Sequence, residues 1–543
     1  MWQQVYSPLG GSLGYSAIAA AMPLFVLLYL LGVRRRAAWI AALAGLATAF
    51  AVAVGVYRMP VTQAVSSSLM GAAFGLLPIT WIVFWAIFLY RLTLETGRFE
   101  VIKDSIGSLT QDRRLQALLI AFAFGAFVEG AAGFGTPVAV AAAMLTGLGF
   151  SPFYAAGICL LANTAPVAFG SIGIPVITLA GITGLPLEQL SASVGRICAP
   201  ISLIVPAYLM LVMGGWRGLA GVWPAAFACG LSFAATQWLV SNYLGPQLVD
   251  ILSSLAAMGA ILLVLRFWRP RDHFELEGEH EASVKPPRHP AGEVVLAWAP
   301  FILLVVCVLI WGNAGVKAAL DSATRVIEWP GLHRLILQTP PVTAAENPYA
   351  AVYRLAWLSA SGTACLLACL MSVLVLRVRP ALLRKVFVTT AQQLAKPTLT
   401  VCSVLGLAFL MNYSGATGTL GLAFAATGGA FPFFSAMLGW LGVFLTGSDT
   451  SANALFGNLQ VVTANRLDLN PVLMAASNSS GGVMGKMISL QSIAVAVAAT
   501  GMVTKDESRL FRFTLRHSIL LASAIGVVVL FYAYVMPAWA PGA

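Results

Sequence analysis

The chain has 543 residues, of which 59% are hydrophobic and only 9% are charged, and its formal net charge at pH 7 is +11. Soluble globular proteins carry about a quarter charged residues, so a buried soluble core cannot explain this deficit over such a length. The composition therefore predicts a polytopic membrane protein. The positive charge lies in a few short loops, which gives no indication of nucleic-acid binding.

Apolar runs long enough to cross a bilayer, about 20 residues each, occur along most of the chain. The clear candidates are residues 13–32, 38–56, 69–91, 192–213, 219–240, 246–266, 295–312, 351–376 and 515–536. Two further apolar regions, 115–181 and 397–502, are interrupted so often that spans and re-entrant hairpins cannot be separated there. Together these segments predict an all-α membrane fold of about 12 to 14 transmembrane helices.

Lysine and arginine concentrate in short segments, and loops rich in these residues stay cytoplasmic. The segments are 34–36, 91–114, 266–288, 377–396 and 505–516. Their alternation with less basic loops predicts that both termini lie outside the cytoplasm. The polar stretch 269–293 is predicted to be a cytoplasmic linker between an N-terminal transmembrane half, 1–268, and a C-terminal half, 294–543.

Each half contains one region in which helices are expected to break. In the first, 122–181, a single acidic residue stands among glycines and is followed by an asparagine–threonine pair. These residues are Glu129, Gly130, Gly133, Gly135, Asn163 and Thr164. A carboxylate inside lipid costs a few kcal/mol, so it is found there only when it faces a cavity or a partner.

The second region, 440–500, repeats this composition and adds one lysine. Its residues are Gly447, Ser448, Asp449, Asn478, Ser479, Gly481, Gly482 and Lys486. Glu129 and Asp449 stand at nearly equal distances before a proline, Pro152 and Pro471. Paired interruptions in corresponding places of two halves indicate a transporter's binding site between two structural repeats.

These residues predict an anion site with proton coupling. We expect Asn163, Thr164, Asn478 and Ser479 at hairpin tips, where they cap half-helices whose free N–H groups bind a small anion, together with Ser448 and Lys486. The alternative is that they are helix caps and small packing residues. The glycines are expected to act as hinges or as points of close backbone approach.

Glu129 and Asp449 are the candidates for proton coupling, with a structural ion pair or a helix cap as the alternative for each. Lys486 could pair with a substrate carboxylate or with Asp449, or its long side chain could reach the membrane interface. No phosphate-binding loop, nucleophile elbow or metal-binding spacing occurs, and the seven cysteines show no framework. We therefore expect a transporter driven by a gradient, with no cofactor or metal and no enzymatic activity.

The chain resembles the L-lactate permease family of bacterial secondary transporters over nearly its whole length. The resemblance is carried by the motifs at 129–135, 163–170, 214–218, 412–415, 439–450 and 481–489. It implies proton-coupled uptake of L-lactate through the inner membrane, with D-lactate and glycolate also accepted. It further implies two repeats with broken helices or re-entrant hairpins, as in the wider ion-transporter superfamily. A sodium-coupled carrier and an uncoupled channel or sensor stay open as alternatives, as do the substrate preference and the oligomeric state.

Overall fold

The structure is a computed structural model, and it describes residues 1–133, 135–270, 272, 274, 287, 289–503 and 506–541. Most of the acidic part of the predicted linker, 275–286, lies outside the described residues. The described chain is almost entirely helical, with five short strands. The prediction of an all-α membrane fold is confirmed.

The first ten helices precede and include the first interrupted region. They are α1 (Leu13–Gly32), α2 (Ala38–Gly55), α3 (Val61–Phe74), α4 (Trp81–Glu95), α5 (Arg98–Gly107), α6 (Arg113–Gln116), α7 (Gly125–Ala131), α8 (Thr136–Gly147), α9 (Pro152–Ala162) and α10 (Gly170–Thr183). A π-helix, Gly75–Thr80, joins α3 to α4, and a second, Ala117–Phe124, joins α6 to α7.

The remaining helices include three long ones before the linker. They are α11 (Leu187–Ala220), α12 (Trp223–Tyr243), α13 (Val249–Phe267), α14 (Ala291–Gly312), α15 (Ala314–Asp321), α16 (Ser361–Val375), α17 (Pro380–Ser414), α18 (Ala416–Phe424), α19 (Phe431–Thr446), α20 (Asp449–Arg466), α21 (Pro471–Gly485), α22 (Leu490–Thr500) and α23 (Glu507–Tyr534). Within the described residues, ten helices are long and apolar enough to cross a membrane, or up to twelve if each bent pair is one span. The predicted range of about 12 to 14 meets this count only at its lower end.

The predicted span 351–376 is wrong in its first third. Residues Val352–Leu355 form a β-strand, and the helix begins only at Ser361. The segment is apolar because alternate side chains of this strand are apolar, and a window of about 20 residues does not separate that pattern from a helix. The remaining helix, α16, is shorter than a full membrane span.

The strands form two small sheets outside the helical body. They are β1 (Trp2–Gln3), β2 (Arg325–Glu328), β3 (Ile336–Gln338), β4 (Asn347–Pro348) and β5 (Val352–Leu355). The first sheet has the order β1–β3–β4, parallel between β1 and β3, and the second pairs β2 with β5 antiparallel. Val326 lies opposite Arg354 in this second register. The N-terminus is thereby fixed to the segment 313–360.

Both termini lie on the same face as this segment. Lys317 forms an ion pair of 3.6 Å with Glu188 at the start of α11. Farther along α11, Arg196 donates a hydrogen bond to the carbonyl of Trp539 near the C-terminus. Because α1 runs from this face to the basic segment 34–36, the arrangement agrees with the predicted topology. The direction of that face relative to the cytoplasm stays a prediction.

Two hairpins and two broken spans build the centre of the molecule. Hairpin 1 comprises residues 113–133 and 135–147 and turns between α7 and α8, and hairpin 2 comprises residues 431–466 and turns at 447–448. Broken span 1 joins Pro152–Ala162 to Val167–Thr183 at an angle of 64°. Broken span 2 joins Pro471–Ile488 to Leu490–Thr500 at 42°. At the base of hairpin 1, Arg113 donates to the carbonyl of Leu148, so both ends of the hairpin lie at one level.

The two repeats interlock. The second part of broken span 1, α10, packs on α20 of hairpin 2, and the second part of broken span 2, α22, packs on α8 of hairpin 1. Asn453 of α20 donates a hydrogen bond of 3.1 Å to the carbonyl of Pro175 in α10. The two predicted halves also contact each other where α17 packs against α2 and α3. Both helix breaks meet between the repeats.

Glycines allow α19 and α21 to touch along their backbones. A Cβ at Gly439 would collide with the carbonyl of Asn478, and one at Gly481 would collide with the backbone of Ala436. Small residues at such contacts are the usual means of close helix packing in membranes. Hairpin 2 is therefore held rigidly against broken span 2.

Candidate functional site

A cavity of about 270 Å³ lies where the tip of hairpin 2 meets both broken spans. Its lining includes both acidic candidates and the lysine, Glu129, Asp449 and Lys486. Hydroxyl and amide side chains complete the polar lining: Ser171, Thr400, Thr446, Ser448, Thr450, Ser451 and Gln491. The rim is formed by Trp39, just after the basic segment 34–36, and by Lys396, in the basic segment 377–396. The cavity is thus lined in part by residues of, or next to, two of the basic segments, and Lys396 lies within α17.

Asp449 begins α20 directly after the tip of hairpin 2. Its Oδ2 accepts hydrogen bonds from the hydroxyl of Ser479 at 2.5 Å and from Nδ2 of Asn453 at 3.3 Å. The side chain is buried, and its Oδ1 has no hydrogen-bond partner among the described residues. A Cβ at Gly482 would collide with this oxygen, so glycine makes room for the carboxyl group. One oxygen is therefore anchored and the other is left for a proton or a ligand.

A chain of buried amides supports Asp449. Nδ2 of Asn478 donates to Oδ1 of Asn453 at 2.9 Å, and Nε2 of Gln460 donates to Oδ1 of Asn478 at 3.0 Å. Ser435 closes the chain by donating to Oε1 of Gln460 at 2.8 Å. All of these side chains are buried. The chain joins hairpin 2 to α21 and holds the groups around Asp449 in one arrangement.

The hairpin tip itself is a turn of small polar residues. Gly447 adopts a left-handed conformation with φ 72°, which glycine allows without strain. Ser448 caps α20 by accepting from the backbone N–H of Ser451 at 3.2 Å, and its own N–H donates to the hydroxyl of Thr446. Polar backbone and side-chain groups therefore face the cavity at the positively polarised end of α20.

Lys486 stands at the break of broken span 2 and is only 8% exposed. Its Nζ donates a hydrogen bond of 2.6 Å to the carbonyl of Gly447, which connects the break to the hairpin tip. Both Glu129 and Asp449 interact with it electrostatically. The ammonium group is therefore held inside the protein and does not reach for the membrane interface. An ammonium has three N–H donors, so two remain for a bound anion.

Glu129 enters the same cavity from hairpin 1. Its carboxyl group lies against Gly170 and Gly133, where a Cβ would come within 2.6 Å and 3.5 Å of Oε1. Its Oε2 has no hydrogen-bond partner among the described residues. The two acidic candidates and Lys486 thus line one cavity.

Broken span 1 contains a strained segment beside Glu129. Ser171 and Ile172 adopt left-handed conformations with φ 48° and 62°, followed by Gly173 at 75°. This conformation costs about 1–2 kcal/mol for a residue with a Cβ, and such strain is found mainly at functional sites. The hydroxyl of Ser171 donates to the carbonyl of Ala132 at 3.0 Å, which links this segment to the tip of hairpin 1.

The expected placement of the asparagine pairs at hairpin tips is wrong. Asn163 caps the C-terminal end of α9, where broken span 1 begins to unwind, and Thr164 donates to the carbonyl of Leu161. Asn478 and Ser479 lie inside the continuous helix α21 and cap nothing. The chain reverses at the glycine-containing turns around Gly133 and Gly135 and at 447–448, where glycine allows a positive φ.

Among the predicted substrate-binding residues, Ser448 and Lys486 line the cavity. Ser479 instead donates a hydrogen bond to Asp449, and Asn478 donates one to Asn453. Of the predicted hinge glycines, three have positive φ at a tip: Gly133, Gly135 and Gly447. Gly130, Gly481 and Gly482 lie inside helices, where they allow close approach of other groups. In these three glycines the missing Cβ leaves room for a neighbouring group.

Several residues of the site lie outside the predicted set. Asn453 and Gln460 hold the amide chain, and Asp250 is a third buried acidic residue, packed against Gly130. The sequence signal for Asp250 is an acidic residue inside the predicted span 246–266. Asn453 and Gln460 carry the same kind of signal, since both are polar residues in an otherwise apolar region.

Comparison with known proteins identifies relatives of this chain. The sequence model of the L-lactate permease family matches residues 16–536. The L-lactate permease of Bacillus subtilis is 47% identical over 551 residues, covering 97% of each chain. The glycolate permease GlcA of Escherichia coli is 44% identical and covers 98% of each chain. Among solved structures, the YdaH transporter of Alcanivorax borkumensis shares 15% identity with a TM-score of 0.46, covering 87% of this chain and 88% of its own.

Proposed function

The chain belongs to the L-lactate permease family of membrane transporters, and we propose that it takes up a small 2-hydroxymonocarboxylate together with protons across the bacterial inner membrane. L-lactate is the proposed substrate, with D-lactate and glycolate also accepted, since relatives are named for lactate and for glycolate. The observation that carries the proposal is one buried lysine beside two buried carboxyl groups in a small cavity.

The substrate carboxylate is proposed to bind between Lys486 and the tip of hairpin 2. The free N–H donors of Lys486 and the positive end of α20 both attract an anion there. Asp449 occupies the same helix end, so an ionised Asp449 would repel the substrate. Two like charges about 5 Å apart repel by about 3 kcal/mol at an effective dielectric constant of about 20.

Protonation of Asp449 removes this repulsion, so the proton and the anion bind together. A proton and a monocarboxylate carry no net charge, and the pair therefore crosses the membrane interior more easily than either ion alone. This mutual dependence couples the two gradients, because each ligand favours the state that binds the other.

Alternating access is proposed to use the helix breaks and the glycine tips. Trp39 lies next to the basic segment 34–36 and Lys396 belongs to the basic segment 377–396, so a cavity that opens beside them corresponds to an inward-facing state if those segments are on the cytoplasmic side. Unwound segments such as 170–173 are where a transporter changes shape around a fixed site.

Uptake is expected to depend on protons and to be indifferent to sodium. The purified protein in liposomes should accumulate labelled L-lactate when the outside is acidic, with or without sodium. Without a pH gradient, uptake should stop at equal concentrations. Stimulation by sodium at constant pH would instead identify a sodium-coupled carrier, and equilibration that ignores the imposed pH gradient would identify an uncoupled pathway.

Lactate and glycolate are expected to compete for uptake at least about tenfold better than propionate. A site that hydrogen-bonds a substrate hydroxyl leaves buried groups unpaired when that hydroxyl is absent, at about 1–3 kcal/mol. Thr446, Ser451 and Gln491 line the cavity and offer such groups. Inhibition constants measured against labelled lactate test this, with succinate as a second competitor that should fail because its additional charge has no cation beyond Lys486 deep in the cavity. Equal competition by propionate would show that the hydroxyl is not recognised.

A further inference from the structure

Asp250 is an acidic residue enclosed in the first turn of α13. It is 1% exposed, and neither carboxyl oxygen has a hydrogen-bond partner among the described residues. A Cβ at Gly130 would come within 2.7 Å of the Asp250 Cβ, so α7 and α13 are in close contact there. Gly130 directly follows Glu129. The carboxyl group of Glu129 also interacts electrostatically with Asp250.

Other buried polar groups lie near Glu129. The side chain of Asn163, 3% exposed, interacts with the carboxyl group of Glu129. Gln237 of α12 donates to the carbonyl of Ala165 at 3.3 Å, while its Oε1 has no partner among the described residues. Buried polar groups are nearly always paired, so a group of unpaired ones in one place points to a ligand.

The strained segment of broken span 1 packs against the loop that precedes Asp250. A Cβ at Gly173 would come within 2.7 Å of the carbonyl of Pro246, in the loop that leads into α13. The part of the chain that is best suited to change conformation therefore contacts the start of α13.

The charges around Asp250 decide which ligand fits. The carboxyl group of Glu129 on α7 and the thiol of Cys198 on α11 interact electrostatically with it. Lys486 interacts electrostatically with Glu129 and Asp449. Among the described residues, no cation is found to interact with Asp250. Two neighbouring buried carboxyl groups with one cation cannot both be ionised, because repulsion and lost hydration both oppose it.

We propose that Asp250 and Glu129 form a carboxyl pair that shares one proton, and that this proton is exchanged with the cavity during transport. Asp250 holds the proton in an O–H bond while Glu129 is ionised beside Lys486. Transfer to Glu129 breaks that bond and forms an O–H at Glu129, which lines the cavity and releases the proton to water there. The role in transport rests on the proposed function, whereas the shared proton does not.

Infrared spectroscopy of the purified full chain tests the pair without reference to transport. The wild-type protein should show protonated carboxyl absorption at neutral pH, and the part contributed by Asp250 should be lost in Asp250→Asn, so that the absorption of this variant is weaker. The matched control Asp468→Asn changes an exposed aspartate with a left-handed backbone, which asparagine tolerates, and should keep the band. A band of unchanged intensity in Asp250→Asn would overturn the proposal.

Liposome assays then test the role in transport. Asp250→Asn should lose accumulation driven by a pH gradient while retaining exchange of lactate, and Asp250→Glu should recover accumulation because it restores a titratable group. Full accumulation by Asp250→Asn would refute this role. The role would also be refuted if both variants are inserted and Asp250→Glu accumulates no more lactate than Asp250→Asn. If Asp250→Asn does not insert, accumulation by Asp250→Glu decides the question, its absence counting against the proposal. If the wild type itself ignores the pH gradient, the proposed function fails, and the infrared result still decides the pair.

Discussion

Asp449→Asn is expected to abolish accumulation of lactate against its gradient while leaving exchange of lactate across the membrane. An amide cannot bind or release a proton in this range of pH, so the variant keeps the site permanently in the uncharged form. That form binds the anion without repulsion from residue 449. Substrate can therefore still bind, cross and be exchanged, but its movement is no longer tied to a proton at this position.

The structure indicates that asparagine fits at this position. The amide oxygen can take the place of Oδ2 and accept from Asn453, and the hydroxyl of Ser479 is able to donate to the same oxygen. The new NH2 group then lies where Oδ1 has no partner among the described residues. Because the surrounding groups keep their hydrogen bonds, the change should affect coupling more than folding.

The measurement compares two assays on the same liposomes. A pH difference of one unit corresponds to about 1.4 kcal/mol, so one proton per lactate gives about tenfold accumulation in the wild type. In Asp449→Asn the ratio of internal to external lactate should fall to one. Counterflow exchange should stay measurable. Equal loss of both activities, with the protein inserted, would mark Asp449 as a structural or substrate-binding residue.

Ser479→Ala is the matched control. It removes the hydrogen bond of 2.5 Å to Oδ2 but leaves a carboxyl group that titrates. Accumulation should therefore persist, with a changed dependence of the rate on pH. If Ser479→Ala also loses accumulation, then Asp449→Asn acts by disturbing the arrangement of the buried amide side chains more than by removing the proton.

The sequence predicted those parts of the site that consist of residues unfavourable in a membrane helix, because such residues can be recognised one at a time. Glu129, Asp449 and Lys486 stand out because a charged side chain is expensive in lipid wherever it occurs. The breaks stand out because glycine and proline interrupt helices in corresponding places of the two halves. These properties are local, so the chain displays them without any knowledge of the fold.

The parts that were missed depend on contacts between distant segments. Asp250 becomes a candidate only through its neighbourhood to hairpin 1, which carries Glu129. No spacing in the sequence connects these two residues. Asn478 carries a motif typical of a turn, yet α21 continues through it because its amide bonds to Asn453 and Gln460. Tertiary partners outweighed local preference there. The same applies to Gly481, whose role is set by α19.

Lys486→Met is expected to abolish both accumulation and exchange. The lysine is the cation that faces Glu129 and Asp449, and it is only 8% exposed. Removing one partner from a buried charged group costs about 3–5 kcal/mol, because the remaining charges are left uncompensated. If that cost falls on the substrate complex, binding of the anion should weaken by at least about a hundredfold. Loss of exchange separates this variant from Asp449→Asn.

The control and the double variant decide the cause of the loss. Lys385 forms an exposed ion pair of 2.6 Å with Glu95 far from the cavity, so Lys385→Met should transport normally. If uncompensated charge is the reason, Lys486→Met combined with Asp449→Asn should insert better than Lys486→Met alone, because one buried carboxylate is removed with the cation. Exchange should still be weak, since the anion has lost its ammonium partner. Normal exchange by Lys486→Met would show that the lysine neither binds the substrate nor balances the two carboxyl groups.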